Sequence, residues 1–209
     1  PADCGPACIS MSQDVQGEIF EYPEEFFQER VHNIRRPKPD DYQIKQAVEK
    51  IKNSKNPIII SGGGVFYSDA MEELSNFAVK HNIPVTQTVM GYSTMKRDHS
   101  HFVGPIGGLG GKAANNLAKE TDLAICIGTK LADFTTGSWA NFENPEFKLV
   151  SINIARHDAN KHLAEAVIGD AKVTLTELSN AIGDWKSSDS WHKKSQVELK
   201  SWNEYVDKE

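Results

Sequence analysis

The chain has 209 residues, 39% of them hydrophobic and 25% charged, and a net charge of −6 at neutral pH. That length suits one domain of about 150 residues with extensions, large enough to bury a core without disulfide or metal staples. The acidic balance argues against nucleic-acid and anionic-membrane roles, and no apolar run approaches the ~20 residues of a membrane helix.

Three cysteines, Cys4, Cys8 and Cys126, cannot all pair internally. No matching second pair of metal ligands accompanies Cys4 and Cys8, and Cys8 and Cys126 stand in apolar runs. All three are expected to be structural, in a reducing compartment such as the cytoplasm. No signal peptide opens the chain. The start at Pro1 and the polar helical pattern running into Lys208-Glu209 predict a piece of a longer protein.

The first forty residues read as an arriving segment. Ala7-Cys-Ile-Ser-Met11 predicts a strand, Gln13-Asp-Val15 a turn, and Pro23 to Arg30 a short helix begun by proline. Arg35-Arg-Pro-Lys-Pro39 is a basic, stiff linker that places a boundary near residue 38.

Beyond it, helices and strands alternate. Asp40-Asp41 caps a helix with the stripe Ile44, Ala47, Val48, Ile51. Pro57-Ile-Ile-Ile-Ser61 is a strand, and Ser68 is expected to cap a helix carrying Met71, Leu74, Phe77 and Ala78. Pro84 to Thr88 is a strand, residues 90–110 are irregular with a short strand near His101-Phe-Val103, and a helix spans 111–120. Strands at 122–127, 147–154 and 166–168 follow, then a helix capped by Asp170 through Ala181. Such alternation predicts a doubly wound α/β domain, a mainly parallel six-stranded Rossmann-like sheet ordered 3-2-1-4-5-6. From Trp185 on, a helical linker with Trp185, Trp191 and Trp202 is expected to pack on something outside the chain.

The predicted order brings two loops together at the sheet's switch point. One is Gly62-Gly63-Gly64; the other opens Gly128-Thr129-Lys130 and continues through Asp133, Thr135, Thr136, Ser138 and Trp139. Glycines at a strand-to-helix turn let backbone amides approach an anion. The dinucleotide pattern also wants glycine at 67 and a carboxylate about 20 residues on; Tyr67 and Val85-Thr-Gln-Thr-Val89 supply neither. Gly108-Leu-Gly-Gly-Lys-Ala113 lacks a preceding glycine at 106 and a hydroxyl at 113, and reads as a crossover. His99-Ser-His101 and the His157…His162 segment match no metal pattern and are expected at a surface or interface. No nucleophile–base arrangement stands out, so neither catalytic residues nor metal ligands are expected here.

The whole chain resembles the central part of thiamine-diphosphate enzymes of the acetolactate synthase type. Gly5 to Val15 is similar to the last strand of their pyrimidine-binding domain. Pro57 to Val65 and His81 to Val85 resemble the opening of their middle domain, and Gly128 to Gly137 their G-x-R-x-x-D-x-x-x-G run, with Lys130 in place of arginine. Gln13 to Glu18, Tyr22 to Phe27, Arg30 to Pro37, Gly64 to Ala70, Asp133 to Trp139 and His157 to His162 are similar to the ring-opening hydrolases of inositol breakdown within that superfamily.

The resemblance implies hydrolysis of a carbon–carbon bond in a cyclic 1,2-diketone, giving a deoxyglucuronic acid, with thiamine diphosphate and Mg²⁺ bound by domains outside this chain. It implies residues 1–38 as the tail of the pyrimidine-binding domain, 39–184 as a scaffolding middle domain and 185–209 as a link to the diphosphate-binding domain. The expected partners are those two domains and further copies of the chain, as a dimer or tetramer. The piece should fold without catalysing, and Asp133–Trp139 should reach toward the substrate channel. Some relatives hold FAD or ADP in this domain, which would use Gly62–Gly64 and Gly128–Lys130. Where they carry two aspartates this chain has Asn153 and Ala155, which counts against flavin. The alternative is therefore a nucleotide-binding module of a related carboligase or decarboxylase.

Overall fold

The computed structural model describes residues 6–31 and 33–208. The chain divides between Arg35 and Arg36 into two units. In the first, α1 (Gln13–Gln16) and a 3₁₀ turn (Glu24–Phe27) interrupt irregular backbone, and the described residues are exposed. The predicted strand at 7–11 does not form: the described unit offers it no partner strand, and an unpaired strand gains no ladder bonds. Gln13–Gln16 is a helical turn rather than a simple turn. Cys8 is exposed, against the expectation of a packed small hydrophobe; Cys4 lies outside the described residues.

The second unit is a six-stranded parallel sheet ordered β3-β2-β1-β4-β5-β6. Its strands are β1 (Pro57–Ser61), β2 (Val85–Gln87), β3 (Phe102–Pro105), β4 (Leu123–Ile127), β5 (Lys148–Asn153) and β6 (Glu165–Ile168). Central β1 and β4 are buried at every position, because helices cover both faces of such a sheet. Ile59, Ile125, Val150 and Val167 point to one face. There they meet α2 (Asp41–Asn53), α4 (Met71–His81) and α8 (Ala171–Ile182) through Ala47, Ile51, Leu74, Phe77, Leu175 and Leu178. Ile58, Ile60, Ala124 and Cys126 point to the other, under α5 (Lys112–Glu120) and α9 (Asp189–Val206), while the short α3 (Gly63–Tyr67) follows β1 and α7 (Arg156–Ala159) follows β5. Burial pushes the Cys126 thiol up, leaving it a core side chain.

Helix ends follow the sequence where side chains cap them: Asp40 accepts from the Tyr42 amide, and Asp170 from those of Lys172 and Val173. Ser68 does not cap α4. The N-cap position falls on Ala70, and the Ser68 hydroxyl instead donates to Asp170 at 2.8 Å. That carboxylate is 3% exposed and also accepts from Arg36, so it ties the linker to two helix entries.

The tryptophans near the end pack on this unit rather than on something outside it. Trp191 is buried beneath α9 with its indole N–H donating to the Pro57 carbonyl, Trp202 packs on the same face, and Trp185 packs on the opposite one. The histidines at 99–101 are likewise not simply superficial. His101 is 6% exposed, stacks on His192 at 4.2 Å, and is pushed down to about 4 by burial and then by His192 and His99.

A folded-state value below the unfolded one means that the unfolded chain takes up the proton first. Stability is therefore full above pH 6.5 and falls toward pH 4, by at most about 1.4 kcal/mol per pH unit from this group. Urea midpoints at pH 7 and pH 5 should fall less in His101→Asn than in the unaltered chain. Equal losses would remove His101 as the cause.

Candidate functional site

The sheet order puts β1 and β4 side by side with their crossovers diverging, so the loops after them face each other at the carboxyl edge. They touch. A Cβ on Gly62 would lie 2.4 Å from the Gly128 carbonyl oxygen, and one on Gly64 would lie 2.6 Å from Gly128 Cα. Side chains are excluded because backbone meets backbone. The Gly62 amide donates to the Ile127 carbonyl, Gly64 to Gly128 and Gly128 to Ile152, at 2.8–2.9 Å. These amides are thus engaged between loops, where an anion cradle would need them free.

Gly63 turns elsewhere, toward the Met90 carbonyl, while Lys130 is exposed. Thr129 is buried against Gly62, and its carbonyl accepts from the Asn153 side chain at 3.1 Å. Asn153 also accepts from the Ala155 amide at 3.0 Å. An aspartate could not make the first of these bonds. Asparagine here serves the loop itself, and flavin gains no support.

The loop after β4 carries the other group of predicted residues. Asp133 begins a single turn, α6 (Asp133–Thr136), closed by Gly137 in the left-handed region. Ser138 and Trp139 continue there at φ 54° and 70°, a conformation rarely adopted by a bulky residue and one that concentrates at functional loops. Thr136 is fully buried, and its hydroxyl accepts from the Trp139 amide at 3.3 Å. Trp139 lies partly on the core and against the His162 ring at 4.5 Å, joining this loop to the one after β5. Asp133 and Ser138 are exposed, and Thr135 is half-buried between the two groups. The structure therefore divides the set: Thr136 and Trp139 hold the loop, while Asp133 and Ser138 are offered to solvent.

Two residues that sequence reasoning misses, Asn115 and Asn141, brace this loop, and no local motif marks them. Among the described residues, no group of three or more His, Cys, Asp or Glu is placed to hold a metal ion.

This architecture defines a Rossmann-like domain whose switch-point loops are closed on each other. Residues 44–178 match the family model described as the thiamine pyrophosphate enzyme central domain, and the chain belongs to that family. Three relatives show the same likeness, each named 3D-(3,5/4)-trihydroxycyclohexane-1,2-dione hydrolase. The chain is 43% identical to that of Clostridium perfringens strain 13 over 98% of this chain and 32% of the relative. It is 46% identical to that of Clostridium tetani over 87% and 28%, and 46% to hydrolase 1 of a Bacillus cereus strain over 90% and 30%. The chain thus spans about a third of the length of these relatives.

Proposed function

We propose that the full-length protein carrying this chain is a hydrolase that uses thiamine diphosphate and Mg²⁺ to open the ring of 3D-(3,5/4)-trihydroxycyclohexane-1,2-dione in inositol breakdown. Water adds across the broken carbon–carbon bond: one carbonyl carbon gains the hydroxyl and becomes a carboxylate, and the other ring carbon gains hydrogen, giving 5-deoxy-glucuronate. The observation that carries this reading is identity above 40% over nearly the whole chain to hydrolases of that name.

Residues 39–184 are the central scaffold, 1–38 the tail of the pyrimidine-binding domain, and 185–209 the lead toward the diphosphate-binding domain. Both cofactors belong to those other domains, and none of their chemistry is assigned to residues here. The protein works as a cytoplasmic homo-oligomer. Among the described residues, no helix is long and apolar enough to cross a membrane.

The Asp133–Trp139 loop faces the substrate channel, where Asp133 and Ser138 present polar groups to the hydroxyl-rich ring. The test is turnover of the dione by the full-length enzyme with thiamine diphosphate and Mg²⁺; no turnover overturns the function. Asp133→Asn and Ser138→Ala should each raise KM about tenfold, the loss of one hydrogen bond's worth of binding. KM and kcat unchanged in both would remove the loop from the channel.

A further inference from the structure

Asn115 lies on α5, outside the loops that carry the candidate site, yet its side chain joins the loop after β3 to Asn141, just beyond the Asp133–Trp139 loop. Its Oδ1 accepts from the Gly107 amide at 2.9 Å, and its Nδ2 donates to the Gly107 carbonyl at 3.0 Å. One carboxamide thus satisfies both backbone groups of one residue in the loop after β3. The same Oδ1 accepts from Asn141 Nδ2 at 3.2 Å. Asn141 sits under the β4 loop: its backbone amide reaches the Thr136 carbonyl, and a Cβ on Gly137 would lie 3.1 Å from its side-chain nitrogen.

The two loops also meet directly, where the Gly108 amide donates to the Phe134 carbonyl at 2.7 Å. Around this junction the backbone is held away from relaxed geometry, with Leu131, Ser138 and Trp139 all at positive φ. Such conformations persist only where surrounding contacts over-determine them. Asn115 supplies three hydrogen bonds beside these residues, to Gly107 and Asn141, from a regular helix, the more rigid platform.

We infer that Asn115 is the positioning residue of the candidate site, fixing the Gly107–Gly110 and Asp133–Trp139 loops in a single arrangement. The inference rests on the reading that the second loop faces the substrate channel. Only an asparagine-like group serves at 115: a carboxylate of the same shape would still accept from Gly107 and Asn141 but would repel the Gly107 carbonyl, and alanine would leave the Gly107 amide and the Asn141 side chain without this partner and the Gly107 carbonyl with only its bond from the Gly110 amide.

The experiment compares Asn115→Asp, Asn115→Ala and Asn141→Ala in the full-length enzyme by amide hydrogen exchange over residues 106–110 and 133–141 and by steady-state kinetics on the dione. Both Asn115 variants should exchange about tenfold faster in the two loops, with α5 itself and the melting temperature little changed. KM should rise several-fold more than kcat falls. Asn141→Ala should show the same pattern at smaller size, and it keeps the test open if Asn115→Ala fails to fold. Unchanged exchange in both loops overturns the brace. Faster exchange with KM and kcat unchanged leaves the brace standing and overturns the channel-facing loop on which the positioning role depends.

Discussion

Replacing Gly128 by alanine is expected to destabilise the sheet unit by about 4 kcal/mol, enough to unfold much of it at moderate temperature. The residue has φ +61°, where a Cβ costs roughly 1–2 kcal/mol before any contact is counted. That Cβ would also stand 2.5 Å from Gly64 Cα, with Gly64 N and C also within 3 Å. Backbone cannot rotate away as a side chain can. The loops would have to part, breaking the Gly64-to-Gly128 hydrogen bond and disturbing the register at the ends of β1 and β4. Gly108→Ala is the control, since its Cβ would meet only the Phe134 carbonyl at 3.8 Å. Urea unfolding should separate the two clearly. Equal midpoints would show that the crossing loops yield, and would reopen the crevice to a ligand.

Trp191→Ala should lower stability by about 3–5 kcal/mol, roughly 10 °C in melting temperature for a chain of this size. The indole is 3% exposed among Ile58, Ala114 and Leu117 on the α5 side, and its N–H satisfies the carbonyl of Pro57 at the start of β1. Removal leaves a cavity and an orphaned acceptor in the same place. Calorimetry tests it. A melting temperature within about 2 °C of the unaltered chain, against the shift expected from that loss of packing, would mean that α9 is not docked in solution. The last segment would then be the free linker its sequence suggests.

The legible features share one property: each is encoded by residues near one another in sequence. The apolar runs within Pro57–Ser61 and Leu123–Ile127 announce buried parallel strands, and the i, i+3, i+4, i+7 stripe of the Asp41–Asn53 helix marks its inward face. The alternation of elements, with the right-handed crossover rule, is enough to order the six strands. Asp170 is readable as a cap because its partners are two and three residues away.

Misreadings arise where a partner lies far along the chain. Ala7–Met11 has strand-forming residues but no neighbour to pair with in its unit. Ser68 has the right chemistry for a cap, yet a buried carboxylate 102 residues later takes its hydroxyl. Trp191 sits in a polar stretch that reads as a linker, and its acceptor is 134 residues upstream. The glycine loops pair at the switch point as their sequence predicts, but whether their amides are open or engaged is not written there. That depends on a backbone approach of 2.4–2.6 Å for an added Cβ, set by how the finished sheet twists its strand ends together.

Hydrophobic period, helix caps and crossover handedness are local or topological rules, so the residues alone dictate the strands, most helices, the winding order and the family. Which polar residues act together is settled only by packing. Asn115 meets Gly107 and Asn141, His101 stacks on His192, and Asn153 holds Thr129, each from a different element. A hydrogen bond's geometry is specified to tenths of an ångström and a few tens of degrees, and between distant residues nothing shorter than the whole packed fold fixes it.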